Sequence, residues 1–430
     1  MERRRFLGLA AAAGAVGGSQ LATVGCGVGT STESVGLRMV AADYGSASRG
    51  DSSQGYWDAL VRDFHHKHPG ITVDVTVHSW KDVDRKVAEM VKQDRAPDIA
   101  QLGSYADFAV QRKLYTADEL LSIPVQADFL PSLAQAGKVE RAQYGMPFVA
   151  STRLLFYNRS LFAKAGLDPR KPPTTWRQLA RAAARLKASG VKIPYGLPLG
   201  PEEAPAEALM WILSGGGSYT DKVGTYTIDA ASNIRTFNWV RDNLVSAKLT
   251  NHAPGRTDRQ DLFDAFVRGE VGMLNGHPTL MRQASRLGVK FGTAVLPGRE
   301  GPSGGTLGVA DWIIAFRESG RREQIGAFLD FVFSEKNHYA FADRYDLLPV
   351  TTSANERMRK APEHKPLRRF QDQLSGAEFF PVGKVTWSQV TADIKKTMGD
   401  VVGADSDPAD VLGAIQRKAE SEEAAARGRR

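Results

Sequence analysis

Strand-like and helix-like segments alternate along the first part of the chain. Residues 35–42 form a short apolar run, and residues 55–66 place apolar side chains at helical spacing. Residues 71–77 then alternate between apolar and polar with period two, which is typical of a half-buried strand. A second helical pattern over 81–92 leads to another apolar strand within 96–100. This β-α-β-α-β order predicts a mainly parallel sheet with helices on its faces.

The composition is that of a globular protein of two or three domains. The 430 residues include 42% hydrophobic and 24% charged side chains, which excludes a disordered chain. A mean hydropathy of −0.30 excludes a protein with many membrane spans. The formal charge is +8, but two of the three densest basic runs lie at the chain ends, and no basic stripe alternates with aromatic residues. We therefore predict no nucleic-acid partner.

The N-terminus has the features of an export signal. Arg3 and Arg4 precede Phe6 and Leu7 in a pattern that resembles the twin-arginine motif, and an uncharged stretch rich in Ala and Gly follows. Residues 22–26 resemble a lipobox, in which Cys26 would become the lipid-bearing N-terminus. A single transmembrane anchor is the alternative. We predict a signal peptide over residues 1–25, a flexible tether over 26–35, and a lipoprotein on the outer face of the cell membrane.

Motifs of the common enzyme classes are missing. The sequence has no HExxH and no phosphate-binding loop with its lysine, and its Gly-x-Ser-x-Gly match at 301–305 lies in a turn rich in Gly and Pro, not in a strand-to-helix elbow. Cys26 is the sole cysteine, so neither a disulfide nor a thiol nucleophile is available to the mature fold. We predict a binding protein and not an enzyme, with no cofactor and no metal.

Four segments together resemble the extracellular solute-binding proteins of ABC sugar importers, the group that contains maltose-binding protein. They are Ala-Pro-Asp-Ile at 96–99, a long stretch from Tyr-Gly-Met-Pro at 144–147 to Pro-Pro-Thr-Thr-Trp at 172–176, a motif around Gly-Glu-Val-Gly-Met at 269–273, and the apolar segments of 328–350. They follow one another in order from residue 96 to residue 350. Each motif alone is weak, and the shared order carries the resemblance.

The resemblance implies an α/β protein with a two-lobe periplasmic-binding-protein-like fold of type II, in which mixed sheets are flanked by helices and a hinge joins the lobes. Lobe one would contain 36–149 plus 309–351, and lobe two 152–307 plus 352–430. A solute would bind in the cleft between the lobes, at the carboxyl ends of strands. Hinge closure would then present the loaded protein to ABC permease subunits. We expect a monomer.

Aromatic and polar residues near the crossings between the lobes are candidates for solute contacts, because sugars stack their C–H faces on rings and bind polar groups through their hydroxyls. Asp311 and Trp312 stand side by side on the strand that re-enters lobe one, although strand alternation would bury one of them. Trp387 lines up with a cleft tryptophan of maltose-binding protein. The resemblance implies that the loops after the first and third strands face the cleft, which adds Tyr44, Gln101 and Tyr105.

The resemblance suggests five further solute contacts. Ser151 stands where maltose-binding protein has a ligand-binding carboxylate, and Arg153 follows closely. Asn275 and His277 end a strand of lobe two, where maltose-binding protein has a stacking aromatic. Glu202 lies in a loop of lobe two, with an acidic helix start as the alternative reading.

The leading functional hypothesis is a lipid-anchored protein that delivers a mono- or oligosaccharide to an ABC importer. A polyol or glycerol-phosphate type of solute is the alternative within the binding class, and Arg153 is the basic residue available for a phosphate. An exported glycoside hydrolase would have to use Asp311 with Glu202. A surface adhesin or signalling co-receptor on the same fold is also open.

Overall fold

The computed structural model describes residues 34–45, 52–80 and 82–428. The signal peptide, Cys26 and most of the tether lie outside these residues. Twelve strands are found in the described part of the chain: β1 (Val35–Ala42), β2 (Ile71–His78), β3 (Ile99–Leu102), β4 (Lys138–Val139), β5 (Ala142–Gln143), β6 (Met146–Thr152), β7 (Leu154–Asn158), β8 (Ile193–Gly196), β9 (Val271–Gly276), β10 (Phe291–Ala294), β11 (Thr306–Ala315) and β12 (Ala377–Phe379).

Eighteen α-helices accompany these strands in the described residues. They are α1 (Gln54–Lys67), α2 (Val83–Lys92), α3 (Ala106–Val110), α4 (Ala117–Leu120), α5 (Ile123–Asp128), α6 (Pro131–Ala136), α7 (Arg159–Lys164), α8 (Trp176–Ala188), α9 (Ala204–Ser214), α10 (Ala231–Val240), α11 (Arg259–Val267), α12 (Pro278–Arg286), α13 (Arg322–Val332), α14 (Glu335–Tyr345), α15 (Thr352–Lys360), α16 (Arg368–Asp372), α17 (Trp387–Thr397) and α18 (Pro408–Gly428).

Local sequence explains where several of these elements begin. The Thr175 hydroxyl accepts a hydrogen bond from the Gln178 amide at 3.2 Å, which caps α8 as its sequence predicts. The Asn158 side chain caps α7 in the same way, by accepting from the Leu161 amide at 3.1 Å. Buried and exposed residues alternate along the first half of β2, as the period-two pattern predicts.

The first sheet is mixed. Its main path runs β12-β11-β3-β1-β2, and β6 also pairs with β11. The β1–β2, β1–β3 and β11–β12 pairs are parallel, whereas β11 runs antiparallel to both β3 and β6. The expectation of a mainly parallel sheet holds for the β-α-β-α-β part and is wrong for the later strands, because β11 returns from the other lobe and runs antiparallel to both β3 and β6.

The second sheet has four strands in the order β10-β7-β9-β8. Only β8 and β9 are parallel, and β7 runs antiparallel to both of its neighbours. Helix α8 packs against β8, and α9 packs against α10 and α17. Buried apolar side chains fill the space between sheet and helices in both lobes.

Three crossings join the two sheets. Arg153 is the single residue between β6 of the first sheet and β7 of the second, and 295–305 leads back from β10 to β11. The third crossing follows β12. The Thr306 hydroxyl donates to the Arg153 carbonyl at 2.9 Å, and the Thr152 hydroxyl donates to the Phe370 carbonyl at 2.9 Å. The first bond joins the first two crossings, and the second joins the end of β6 to α16, which precedes β12.

The lobe boundaries drawn from the sequence stay a prediction. One strand inside 352–430, β12, pairs with the first sheet, while α17 and α18 of the same stretch pack beside α9 and α10. Within the described ranges, no helix combines the length and apolarity that crossing a bilayer requires.

Candidate functional site

A hydrogen-bonded cluster of three predicted residues lies at the ends of strands in the first sheet. Gln101 on β3 accepts a bond from the Ala42 amide at 3.1 Å through its Oε1 and donates to the Tyr44 hydroxyl through its Nε2. The Tyr44 hydroxyl in turn donates to Asp311 Oδ2 at 2.7 Å. The loop after β1, the strand β3 and the strand β11 therefore meet at one point.

The cluster holds an unusual carboxyl group. Burial raises the pKa of Asp311 to about 6, although the hydrogen bond from Tyr44 opposes the shift. Burial also raises the pKa of the Tyr44 hydroxyl, so it stays a proton donor. The Tyr44 ring is held edge-on by Trp80 and Phe341, with ring centroids 5.6 and 5.1 Å away. Asp311 can thus accept a hydrogen bond when ionised and donate one when protonated.

The strand β11 is partly exposed around Asp311. Residues 309–311 are half-buried, whereas the rest of β11 is buried. A register shift between Asp311 and Trp312 marks a bulge. Val309 pairs with Ser151 across the ladder, so the side chains of Ser151 and Asp311 lie on the same face as diagonal neighbours. Ser151 therefore connects the first cluster with the crossing.

A second cluster surrounds the crossing residue Arg153, which is only 7% exposed. Its Nη1 donates to Ser151 Oγ at 3.0 Å, and its Nη2 lies 3.6 Å from Glu203 Oε1. Its Nε is buried without a hydrogen-bond partner among the described residues. A buried, unsatisfied donor on a charged group is costly, and this position suits a ligand acceptor.

Arg259 extends the second cluster towards β9. It forms ion pairs with Glu203, at 3.2 Å between Nε and Oε2, and with Glu202. Its Nη1 lies 3.3 Å from His277 Nε2, and its guanidinium lies 5.0 Å from the centre of the Phe263 ring. Burial, Arg153 and Arg259 together lower the pKa of His277 well below its usual value. His277 is therefore neutral and offers a ring nitrogen for hydrogen bonding.

Glu207 forms a third cluster beside the second. It is 1% exposed, and its Oε1 accepts from Trp211 Nε1 at 3.0 Å, Asn275 Nδ2 at 3.0 Å and the Tyr195 hydroxyl at 3.5 Å. Burial, with a smaller contribution from the nearby Glu203, raises the pKa of Glu207 to about 8 against the effect of these donors. Glu207 therefore holds its proton at neutral pH.

The predicted aromatic residues are more deeply placed than the polar ones. Trp312 is 1% exposed and packs beside Tyr105, with ring centroids 5.9 Å apart, so strand alternation buries the tryptophan and leaves Asp311 half-exposed. Trp387 is 5% exposed at the start of α17, stacked on Phe380 at 5.4 Å and next to Tyr219 at 5.7 Å. Solute contacts by these three residues stay a prediction.

The structure thus brings the predicted polar residues into hydrogen-bonded or ion-paired clusters. Two of these residues, however, do not lie in the same cluster. Asp311 and Glu202, the pair considered for a glycoside hydrolase, belong to different clusters. Within the described ranges, no group of three or more His, Cys, Asp or Glu side chains is arranged to hold a metal ion.

Sequence reasoning missed Glu207 and Arg259. Glu207 is the one charged residue of α9, a helix whose other residues are almost all buried, and a lone carboxylate in an apolar helix is a usable signal. Arg259 lies between Asp258 and Asp261, two carboxylates that are typical of a helix start. The local pattern therefore resembles an ordinary helix start and does not indicate a role in binding for Arg259.

Comparison with known proteins gives a consistent result. The model of the bacterial extracellular solute-binding protein family matches residues 50–339. A protein of Brucella abortus (strain 2308), named only as a binding protein, is 28% identical over 401 residues, which is 90% of this chain and 92% of that protein. The sn-glycerol-3-phosphate-binding periplasmic protein UgpB of Brucella melitensis is 27% identical over 255 residues, covering 55% of this chain and 56% of UgpB.

A solved structure shares the fold. The cyclic alpha-maltosyl-1,6-maltose binding protein from Arthrobacter globiformis superposes with a TM-score of 0.76, over 90% of this chain and 99% of that chain, at 17% identity. The predicted α/β two-lobe fold, with mixed sheets flanked by helices, is confirmed.

Proposed function

Because the chain belongs to the bacterial extracellular solute-binding protein family, we propose that it captures a sugar in the cleft between its lobes and delivers it to the permease of an ABC importer. The observation that carries this proposal is the junction of the sheets, where Asp311, Ser151 and Arg153 follow one another along one surface. Hydroxyl groups both donate and accept hydrogen bonds, so a sugar needs acceptors and donors close together.

The clusters supply both kinds of group. Asp311 and Glu203 offer carboxylate acceptors, Arg153 offers a free Nε donor, and neutral His277 offers a ring nitrogen. The structural relative from Arthrobacter globiformis is named for binding a maltose-derived sugar, which supports the same class of solute here.

A glycerol-phosphate type of solute is the second candidate. Arg153 and Arg259 place two guanidinium groups beside the junction, and guanidinium groups bind phosphate oxygens in pairs. The UgpB relative of Brucella melitensis is named for binding sn-glycerol-3-phosphate. The carboxylates of Glu202 and Glu203 pair with the same arginines and leave less positive charge for a phosphate, so we favour the neutral sugar.

A thermal-shift screen against sugars, polyols and sugar phosphates tests the proposal. A solute at about 100 times its dissociation constant adds roughly 2.7 kcal/mol to the free energy of unfolding, which is easily detected. We expect a neutral sugar to stabilise the protein with an affinity that changes little with salt. Stabilisation by glycerol-3-phosphate alone, with affinity falling steeply with salt, would favour the second candidate. Turnover of a bound oligosaccharide would contradict a binding protein.

An ion pair between the lobes should favour the solute-bound, closed form. Arg282 on α12 lies 2.7 Å from Asp346, measured between Nη1 and Oδ2, and Asp346 follows α14 of the first lobe. Both side chains are about one-third exposed, so the pair is worth no more than about 1 kcal/mol. We predict that Arg282→Ala weakens solute affinity roughly two- to fivefold at low salt, as measured by calorimetry.

The same pair provides its own control. Asp346→Asn keeps a residue that tolerates the positive φ of 53° at this position, and should weaken affinity to the same degree. The double variant should lose no more than either single variant, and all three should approach the native affinity at high salt. Additive losses would show that the pair does not act as one interaction.

We further propose that Cys26 carries the lipid that holds the protein on the outer face of the membrane, and that the protein acts as a monomer. The family name supports an extracytoplasmic location. Cys26→Ala is expected to move the protein from the membrane fraction to the soluble fraction of fractionated cells. Retention of the variant at the membrane would argue against the lipid anchor and in favour of an uncleaved N-terminal anchor.

A further inference from the structure

One face of the second lobe is strongly basic. Residues 159–187, which include α7 and most of α8, contain eight Lys or Arg and a single acidic residue, Asp168. The segment therefore has a net charge of +7, against +8 for the whole chain. Apolar residues stand between the cations, so the sequence contains no continuous basic run here. The helical spacing of α8 brings its arginines to one side.

These charges are exposed and mostly uncompensated. Arg177, Arg181 and Arg185 follow one another every four residues along α8, on one side of the helix, and all three are exposed. Within the described residues, only Arg170 of this segment forms an ion pair with a carboxylate, that of Asp168 at 3.6 Å. Such a face attracts negative charge beyond individual contacts.

A groove with an apolar floor opens within this face. Its volume is about 940 Å³, and Phe162, Leu167, Pro173 and Ala182 are among its apolar lining residues. Lys171, Arg181 and Arg185 line it as well, and none of its described lining residues is acidic. The groove thus combines an apolar surface with a cationic rim.

We propose that the α7–α8 face, residues 159–187, docks on the surface of an anionic bilayer. Lipid phosphates match the exposed arginines, and the glycerol and upper acyl region of a lipid matches the apolar floor. Docking by this face is separate from solute binding, and the proposed lipid anchor contributes to it only by keeping the protein close to the membrane. A lipid on Cys26 would hold the protein beside the membrane.

Vesicle binding tests this proposal without the lipid anchor. All proteins carry Cys26→Ser in the full chain, so that no acyl chain contributes and the N-terminal residues are common to every sample. The probes are vesicles of 30% phosphatidylglycerol in phosphatidylcholine and vesicles of phosphatidylcholine alone, used for cosedimentation at low and high salt. We expect at least tenfold tighter binding to the anionic vesicles, lost at high salt.

Two triple variants separate the face from net charge. Arg177→Glu, Arg181→Glu and Arg185→Glu together should reduce binding to anionic vesicles at least tenfold. Arg62→Glu, Lys86→Glu and Lys92→Glu change the net charge equally, at exposed positions of α1 and α2, and should reduce it less than threefold. A third variant, Arg177→Lys, Arg181→Lys and Arg185→Lys together, keeps the charge and should bind as the native protein does.

The outcomes distinguish this proposal from the proposed function. Equal binding to both kinds of vesicle would overturn the proposal. An equal loss of vesicle binding in the two glutamate variants would also overturn it, even if the face binds another polyanion or an acidic protein. Solute affinity, measured on the same samples by calorimetry, should be unchanged in the α8 variants, because these side chains lie outside the three clusters.

Discussion

Replacing Arg153 by methionine is expected to lower the free energy of unfolding by about 3–5 kcal/mol and to weaken solute affinity at least tenfold. Arg153 is buried at the crossing between the sheets, where it contacts Ser151 and Glu203. Methionine has a similar volume but no charge, so the Glu203 carboxylate loses one of its two cations in a poorly hydrated site. Removing one partner of a buried ion pair costs far more than the pair contributes as a whole.

Denaturant unfolding and solute calorimetry measure the two effects separately. Arg153→Met combined with Glu203→Gln should recover much of the lost stability, because no unpaired charge then stays buried, while solute affinity stays low. Arg85→Met removes an exposed arginine that pairs with Asp82 and Glu89 and should change stability by less than about 1 kcal/mol. Native-like stability and affinity in Arg153→Met would contradict the role given to this residue.

Replacing Glu207 by glutamine is expected to remove most of the fall in stability between pH 7 and pH 8. The pKa of Glu207 is raised in the folded protein, from an ordinary value near 4.5 to about 8. A carboxyl group with a raised pKa stabilises the folded state fully below its unfolded pKa, and this contribution is lost as the pH rises towards the folded pKa. The slope is on the order of 1 kcal/mol per pH unit between pH 7 and 8.

The pH window is chosen to isolate this group. Asp311 acts with the same sign, but its pKa of about 6 confines its contribution to lower pH. His277 acts with the opposite sign, because its lowered pKa removes stability as the pH falls below its unfolded value near 6.5. Melting temperatures at pH 7.0, 7.5 and 8.0 measure the slope, with the exposed Glu89→Gln as the matched control. An unchanged slope in Glu207→Gln would show that Glu207 is already ionised at pH 7.

Local sequence patterns predicted most of the individual elements. The period-two pattern found β2, and the threonine before Trp176 found the start of α8. The directions of β6 and β11 in the first sheet could not be read locally, because β11 arrives from the other lobe and its pairing with β6 joins residues more than 150 positions apart.

The site was predicted unevenly for a similar reason. Tyr44, Gln101 and Asp311 come from three distant segments, and only the family resemblance placed them at one cleft before the structure joined them. Trp312 shows how strand alternation decides between neighbours, since Asp311 is only partly buried whereas the tryptophan lies in the core. Glu207 escaped because its helix carries no other charge and resembles ordinary core.

The most direct measurement is a crystal structure of the protein with the solute that stabilises it. We predict that the solute lies at the junction of the sheets, within hydrogen-bonding distance of Asp311 from the first sheet and of Arg153 or Glu203 beside the second. A solute bound elsewhere, for example in the groove beside α8, or held by one lobe alone with the junction untouched, would contradict this prediction.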